Sequence, residues 1–302
     1  MVFDSPDRKM PYAQQFTAGY VRELTSSMAL HADYVRMVNR DMFLARNLNP
    51  ALRVDTSRTG RLDRSDAFGV LGEPYLQQVW VMENGADAIY NGLSLSLEKR
   101  YANNWSGRVS YSLSKVDGTA NDQADRNQYQ VGTNLNLDLQ NGPGNVDRRH
   151  ILSLGGQTEI PKSGGITLSS TFRYMTGAPF TVYDSSIDAD RNGELVDPLP
   201  VGTYSGTALD SMKDLKNNGG RNGAIGPDYF QLDARAGWRH HIRSRTLELF
   251  LDIYNITNRA NFDNPVLANR DRRTPANFLV LTNLRGGGGF PRQAMMGARF
   301  VF

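Results

Sequence analysis

The segment QAMMGARFVF, residues 293–302, decides the fold class that the sequence predicts. Counted back from its last residue, alternate positions are apolar: Phe302, Phe300, Ala298, Met296 and Ala294. The positions between them are more polar: Val301, Arg299, Gly297, Met295 and Gln293. Successive side chains of a β-strand point to opposite faces, so one face could meet lipid while the other meets a polar lumen. The segment therefore predicts a membrane-crossing strand that ends on an aromatic residue.

The same alternation recurs upstream in four pairs of segments, each pair joined by a short turn. The pairs are residues 15–24 with 28–37, 91–101 with 105–115, 150–160 with 165–174, and 229–240 with 245–257. Much longer segments separate the pairs: residues 38–88, 116–147, 177–227 and 258–292. Outer-membrane barrels combine short periplasmic turns with long extracellular loops, whereas long irregular loops are uncommon in compact soluble domains. The sequence thus predicts an all-β protein, an antiparallel transmembrane β-barrel of about nine or ten strands.

The tenth strand is the uncertain one in this count. Residues 76–82 alternate weakly, and residues 83–88 would return such a strand at once. We interpret the two segments as a hairpin raised within the first long loop. If the short turns are periplasmic, the last strand ends at the periplasmic side, and nine crossings then place the start of the first strand outside the cell. Single-chain bacterial barrels, however, have even strand numbers. We therefore expect residues 1–302 to be the carboxyl-terminal part of a larger barrel.

Composition excludes several other classes of protein. The 302 residues have a mean hydropathy of −0.48, and no apolar run approaches the roughly 20 residues that a spanning helix needs. Cysteine is absent, which removes disulfides and thiolate chemistry. The 34 basic and 31 acidic residues are scattered, so no nucleic-acid partner is predicted. Asp4, Asp7 and Arg8 lie where a secretory signal would need an apolar core.

Several segments together resemble a known family. They are PYAQQFTAGYVREL, MALHADYV, YNGLSLSLEKRYANNWSGRVSYSLSK, DRRHILSLGGQTEIP, FRYMTGAPFTV, LFLDIYNITNRANFDNP and the closing MGARFVF. In order and spacing, over nearly the whole chain, they resemble the carboxyl-terminal barrel of Oar-like TonB-dependent outer-membrane transporters. The resemblance implies a 22-stranded barrel in the outer membrane of a Gram-negative-type bacterium, a plug in its lumen, and uptake of an unidentified extracellular ligand.

The resemblance also implies partners. Besides outer-membrane lipid, these are the barrel-assembly machinery, which would read a signal in the last strand at Met296, Ala298, Phe300 and Phe302. TonB itself would be contacted only through an amino-terminal region that this sequence lacks. The signal peptide, the carboxypeptidase-regulatory-like domain, the TonB box and the plug of the family are all absent from it.

One local motif predicts a metal site in the third long segment. Oxygen-bearing side chains recur at Asp188, Asp190, Asn192, Glu194 and Asp197, with Gly193 among them. This spacing resembles the first half of a calcium-binding loop, in which carboxylates and amides surround a hard cation. The glutamate expected at the twelfth position is replaced by Leu199. A structural calcium ion is the one cofactor we consider, and a solvated turn is the alternative.

No catalytic site is predicted. The four histidines, His31, His150, His240 and His241, show no metalloprotease spacing, and no GxSxG motif occurs. The glycine run at residues 286–289 lacks the strand and helix of a phosphate-binding loop. An outer-membrane enzyme is therefore disfavoured, and a surface adhesion or assembly barrel without active transport is the main alternative to a transporter. Inward charged residues could either line a transport path or pair with one another.

Overall fold

The computed structural model describes residues 2–64, 71–119, 141–285 and 290–302, and it is almost entirely β-structure. The glycine run at 286–289 lies outside these residues. The strands are β1 Val2–Asp4, β2 Tyr12–Thr25, β3 Met28–Asn47, β4 Leu52–Arg53, β5 Leu62–Asp63, β6 Trp80–Ala102, β7 Trp105–Gly118, β8 Gly142–Pro143, β9 His150–Glu159, β10 Ile166–Met175, β11 Pro179–Phe180, β12 Gly202–Tyr204, β13 Leu215–Asn217, β14 Ala224–Ile225, β15 Tyr229–Ile242, β16 Arg245–Tyr254 and β17 Gln293–Val301. A short 3₁₀ turn spans Leu267–Arg270. Among the described residues, no helix has the length and apolarity needed to cross a membrane.

Nine long strands form one antiparallel meander in the spatial order β17-β16-β15-β10-β9-β7-β6-β3-β2. Short β1 pairs in parallel with β6, and short β8 pairs with β7. Tight turns join β2 to β3, β6 to β7, β9 to β10 and β15 to β16 at one end of the sheet, and long segments join the remaining neighbours at the other end. Most of the predicted loop at residues 116–147 lies outside the described residues, as do residues 65–70. The predicted strands, their antiparallel pairing and the alternation of short turns with long connections are confirmed. Within the described residues, β2 and β17 each have one neighbour, so the sheet is open.

The register of the strands collects the apolar side chains on one face of the sheet. Trp238 of β15 lies opposite Ile166 of β10 and Leu249 of β16. Leu249 in turn lies opposite Ala298 of β17. The same face continues to β2, where Phe16 is 60% exposed. A predominantly apolar face of this size would be unfavourable in water, but it matches the lipid-facing wall of a membrane barrel.

The opposite face carries polar and charged residues that bind one another. Arg235 holds Asp252 through two hydrogen bonds of 2.5 and 2.7 Å, from Nε and Nη2. Arg239 approaches Glu248 at 3.5 Å on the same pair of strands. These inward charges were predicted from the alternation, and here they form cross-strand ion pairs.

The prediction of a hairpin within residues 76–88 is wrong. Strands β3 and β6 instead run on together well past the predicted strand ends, so Trp80 pairs with Asn47. A bulge at Asp41, whose φ is 54°, interrupts the ladder before this extension. The extension carries ion pairs rather than an apolar stripe, including Arg46 with Glu83 at 2.8 Å. The alternation of apolar and polar residues that marks the other strands is therefore lost in this extension.

Tyr229, at the start of β15, does not lie on the apolar face of the sheet. It is 8% exposed and lies opposite Met175, on the polar face. Its neighbour Phe230 takes the apolar face and packs edge-to-face on Phe172, with 5.1 Å between ring centroids.

Candidate functional site

The long loops at one end of the sheet fold into a body with its own hydrophobic core. We call the described parts of these loops, residues 48–64, 71–79, 141–149, 176–228 and 255–285, the loop cap. Its core cluster consists of Phe180, Val182, Leu199, Leu215, Ala224, Phe278 and Leu279. Strands β11, β14, β13 and β12 form a small sheet around this cluster. The barrel wall is a single layer, so the tightly packed apolar residues lie in the cap rather than between strands.

A buried ion pair joins the first loop to the third. Arg53 is 7% exposed and its Nε donates to Oδ2 of Asp188 at 2.8 Å, while Asp188 is fully buried. The same guanidinium donates to the carbonyls of Arg58 at 2.8 Å and Gly60 at 3.0 Å. Backbone hydrogen bonds from Arg53 to Arg191 and from Asp188 to Thr56, each 3.0 Å, run beside it. The pair therefore fixes the position of Asp188 in the cap.

A second polar contact joins the third loop to the fourth. Oδ1 of Asp271 accepts the Ser185 amide at 3.0 Å, and its Oδ2 accepts the Ser185 hydroxyl at 2.5 Å. Ser185 also accepts hydrogen bonds from Arg273 at 2.9 Å and from Arg58 of the first loop at 2.9 Å. Burial would raise the pKa of Asp271, but the hydrogen bonds from Ser185 and Arg273, with the charge of Arg273, together outweigh it and hold the pKa below its ordinary value of 3.8. Ser185 thus lies where three loops meet.

Three of the predicted calcium ligands come together in the cap. Asp188, Asp190 and Asp197 each offer a carboxylate oxygen, and these oxygens lie within 4.8 Å of one another. The Gly193 amide donates to Oδ2 of Asp188 at 2.9 Å, and the Ala189 amide donates to Oδ2 of Asp197 at 2.9 Å. The glycine turn predicted from the motif is what folds the segment back on itself. We call these three aspartates the acidic cluster.

The other two predicted ligands take different positions. Asn192 uses Oδ1 to accept the Glu194 amide at 2.7 Å and donates Nδ2 to Asp190 at 3.1 Å. It therefore shapes the turn and supports Asp190. Glu194 lies outside the group of three, although burial and the charge of Asp188 both raise the pKa of its carboxyl. The five residues of the motif stay a predicted cation site, of which the structure brings three carboxylates together.

Like charges make the acidic cluster unfavourable when it is fully ionised. Burial, followed by the nearby Asp190 and Asp188, raises the pKa of Asp197 to about 6. Burial and the neighbouring Asp188 also raise the pKa of Asp190. Two carboxylates that share a site disfavour each other's ionisation unless a cation neutralises them. Either protons or a bound cation would therefore relieve the repulsion within the cluster.

The predicted barrel-assembly residues lie on the free edge of the sheet. Met296, Ala298 and Phe300 alternate along β17 on its apolar face, and Phe302 follows directly. Met296 is 83% and Phe302 88% exposed, and the rings of Phe300 and Phe302 meet edge-to-face at 5.0 Å. Their position fits an aromatic-terminated last strand. Recognition by the assembly machinery stays a prediction.

Sequence reasoning missed Arg53, Ser185 and Asp271 as organising residues of the cap. Arg53 and Asp188 are 135 positions apart, and Ser185 and Asp271 are 86 apart. No local pattern connects partners at such separations, and a single exposed-looking arginine or serine in a long loop carries no signal of its own. The predicted cation site was found because all five of its residues lie within the short segment 188–197.

Comparison with known proteins gives the family and the fold. The model of the outer membrane beta barrel domain family matches residues 1–294. No curated protein matches the sequence significantly. Two solved structures are similar in fold. The Escherichia coli outer membrane transporter YddB is 13% identical, with a TM-score of 0.52, over 97% of this chain and 33% of its own. The Escherichia coli ferric-catecholate import receptor Fiu is 12% identical, with a TM-score of 0.50, over 97% of this chain and 28% of its own. The chain thus spans about a third of the length of these structures.

Proposed function

The chain belongs to the outer membrane beta barrel domain family, and from that premise we propose that it forms one arc of the wall, and part of the surface cap, of a TonB-dependent transporter. Its place is the outer membrane. The ligand would be gathered by the loop cap outside the cell and would pass along the polar face of the sheet. TonB and a plug would act through polypeptide beyond the strands described here.

The observation that carries this proposal is the contrast between the two faces of one sheet. One face is predominantly apolar across nine strands, and the other carries ion pairs such as Arg235 with Asp252. Backbone groups within a bilayer must be paired, so the edges of β2 and β17 require further strands in the membrane. Closure with such strands would place the polar face around a lumen, which a transporter needs.

The folded cap supports a binding role at the cell surface. Ordering loops of this length costs conformational entropy. The hydrophobic core around Phe180 and the ion pair of Arg53 with Asp188 offset that cost. A preorganised surface binds a ligand with less loss of conformational freedom than mobile loops do. The proposed function involves no covalent chemistry.

The proposal can be tested by uptake in living cells. Cells that produce the protein are compared with cells that carry a version in which residues 180–225 are replaced by a short turn, after both versions are shown to reach the outer membrane. The depletion of small molecules and peptides from the medium is followed by mass spectrometry, with and without a protonophore that removes the energy source of TonB. We expect at least one compound whose depletion needs both the cap and the proton gradient.

Two outcomes would contradict transport. Depletion profiles that are identical in the two strains would do so. A cap-dependent binding of a compound that is insensitive to the protonophore would instead indicate the alternative, a surface adhesion or assembly barrel without active uptake.

A further inference from the structure

A buried carboxylate oxygen in the loop cap lacks a partner. Asp188 is fully buried, and its Oδ2 is held by the Nε of Arg53 at 2.8 Å and the Gly193 amide at 2.9 Å. Its Oδ1 is buried and has no hydrogen-bond partner among the described residues. Leaving one oxygen of a buried carboxylate unsatisfied is unfavourable, and in native structures a water, a ligand or an ion usually satisfies such an atom.

The groups next to Asp188 are those that a hard cation would need. Asp190 and Asp197 each bring a carboxylate oxygen, and all three oxygens fall within 4.8 Å of one another. Oxygen ligands of Ca²⁺ lie about 2.3–2.6 Å from the ion, so two ligands of one ion can be roughly 5 Å apart at most. The acidic cluster is within that limit as it stands.

The charge balance points the same way. The acidic cluster carries three carboxylates, and Arg53 is the basic residue that forms an ion pair with it in the described residues. One guanidinium leaves two of the three carboxylates without a counter-charge among the described residues. A divalent cation would supply that charge and would also fill the free coordination of Asp188.

We propose that Asp188, Asp190 and Asp197 bind one Ca²⁺ ion, which fixes the third loop of the cap against the first. Asp188 links the two loops because its other oxygen binds Arg53 and its amide donates to Thr56 at 3.0 Å. Asp190 and Asp197 close the site from the exposed side. Flexible all-oxygen sites with several carboxylates favour Ca²⁺ over Mg²⁺, which demands near-octahedral geometry at shorter distances.

The first test measures calcium binding to the whole protein. The protein is purified in detergent from outer membranes, stripped with EDTA and titrated with calcium chloride at pH 7.5 in a calorimeter. The test variant combines Asp190→Asn with Asp197→Asn, which leaves the buried Arg53 to Asp188 pair in place. The matched control is Asp210→Asn, an exposed acid of the same loop outside the cluster.

We expect one calcium ion per chain for the wild type and for the control variant, and binding at least about tenfold weaker for the double variant, because ligand charge sets affinity in such sites. Absence of calcium uptake by the wild type would overturn the proposal. Equal binding by the double variant would also overturn it, since the ion would then lie elsewhere. Magnesium chloride that binds as tightly as calcium chloride would overturn the assignment to Ca²⁺.

A second measurement does not depend on any variant. Hydrogen exchange is followed at the amides of Arg53 and Asp188, which donate across the two loops to Arg191 and Thr56. Calcium should slow exchange at both amides relative to EDTA, and magnesium should do so less. Equal exchange in calcium and in EDTA would overturn the claim that the ion fixes the third loop against the first.

Discussion

Replacement of Arg53 by methionine should release the first loop from the rest of the cap. Methionine has a similar length but no charge, so it removes the ion pair with Asp188 and the hydrogen bonds to the carbonyls of Arg58 and Gly60. Removal of one partner from a buried ion pair costs about 3–5 kcal/mol, because the other charge stays buried and unpaired. Arg53 is 7% and Asp188 0% exposed, so solvent offers little compensation.

Hydrogen exchange at the Asp188 amide measures this loss, because that amide donates to Thr56 across the two loops. Since 1.4 kcal/mol corresponds to a tenfold change, 3–5 kcal/mol predicts exchange faster by roughly 10² to 10³-fold or more. The matched control is Arg61→Met in the same loop. Arg61 is 74% exposed and pairs with Asp63 at 2.9 Å, and exposed pairs contribute about 0–1 kcal/mol. Equal exchange rates in the two variants would refute the claim that the buried pair holds the cap together.

Three further changes test the membrane face, the second loop contact and the start of the third loop. Ala234→Arg, in the middle of the apolar face of β15, should lower the free energy of unfolding in lipid vesicles, measured with urea, by about 2–4 kcal/mol. The control Thr171→Arg, on the polar face, should change that free energy by only about 0.5 kcal/mol. Equal losses of stability would contradict the assignment of faces. The Asp271 carboxyl has its pKa held low in the folded state, so the stability it contributes is present above its ordinary value of 3.8 and is lost as the pH falls below it. Hydrogen exchange of the Ser185 amide, corrected for intrinsic rates, should therefore accelerate below about pH 4 in the wild type and lose this pH dependence in Asp271→Asn, while a flat wild-type profile would contradict it. Gly177→Ala should destabilise the cap by about 1–3 kcal/mol, because its Cβ would lie 1.9 Å from the carbonyl oxygen of Gly226; unchanged resistance of the cap to protease would contradict that contact.

The barrel wall could be predicted from the sequence because its pattern is set locally. One face of each wall strand meets lipid and the other is polar, so apolar residues occur at every second position, as at Leu247, Leu249 and Leu251. The pairing of β15 with β16 and of β16 with β17 then follows from chain order and short connections. The same reasoning failed where the environment no longer differs between faces, as in the extension of β3 and β6 beyond Asn39.

The cap could be predicted only in fragments. The acidic cluster was visible because Asp188, Asp190 and Asp197 lie within ten residues, and the glycine that turns the chain lies between them. The partners of Asp188 and Ser185 were not visible, because Arg53 and Asp271 come from other loops. Contacts of this kind depend on how the loops pack on the core around Phe180, and no periodicity encodes that packing.

The most direct test of the central claim is a cysteine scan along β15, from residue 230 to residue 238. The chain has no cysteine, so each single substitution can carry one spin label without further changes. In protein reconstituted into lipid vesicles, the accessibility of each label is measured to oxygen, which dissolves in lipid, and to a water-soluble nickel complex. A lipid-facing sheet predicts oxygen maxima at every second position: Phe230, Leu232, Ala234, Ala236 and Trp238. Oxygen accessibility without a period of two, or with maxima at Gln231, Asp233 and Arg235 instead, would contradict a membrane barrel built with this face toward lipid.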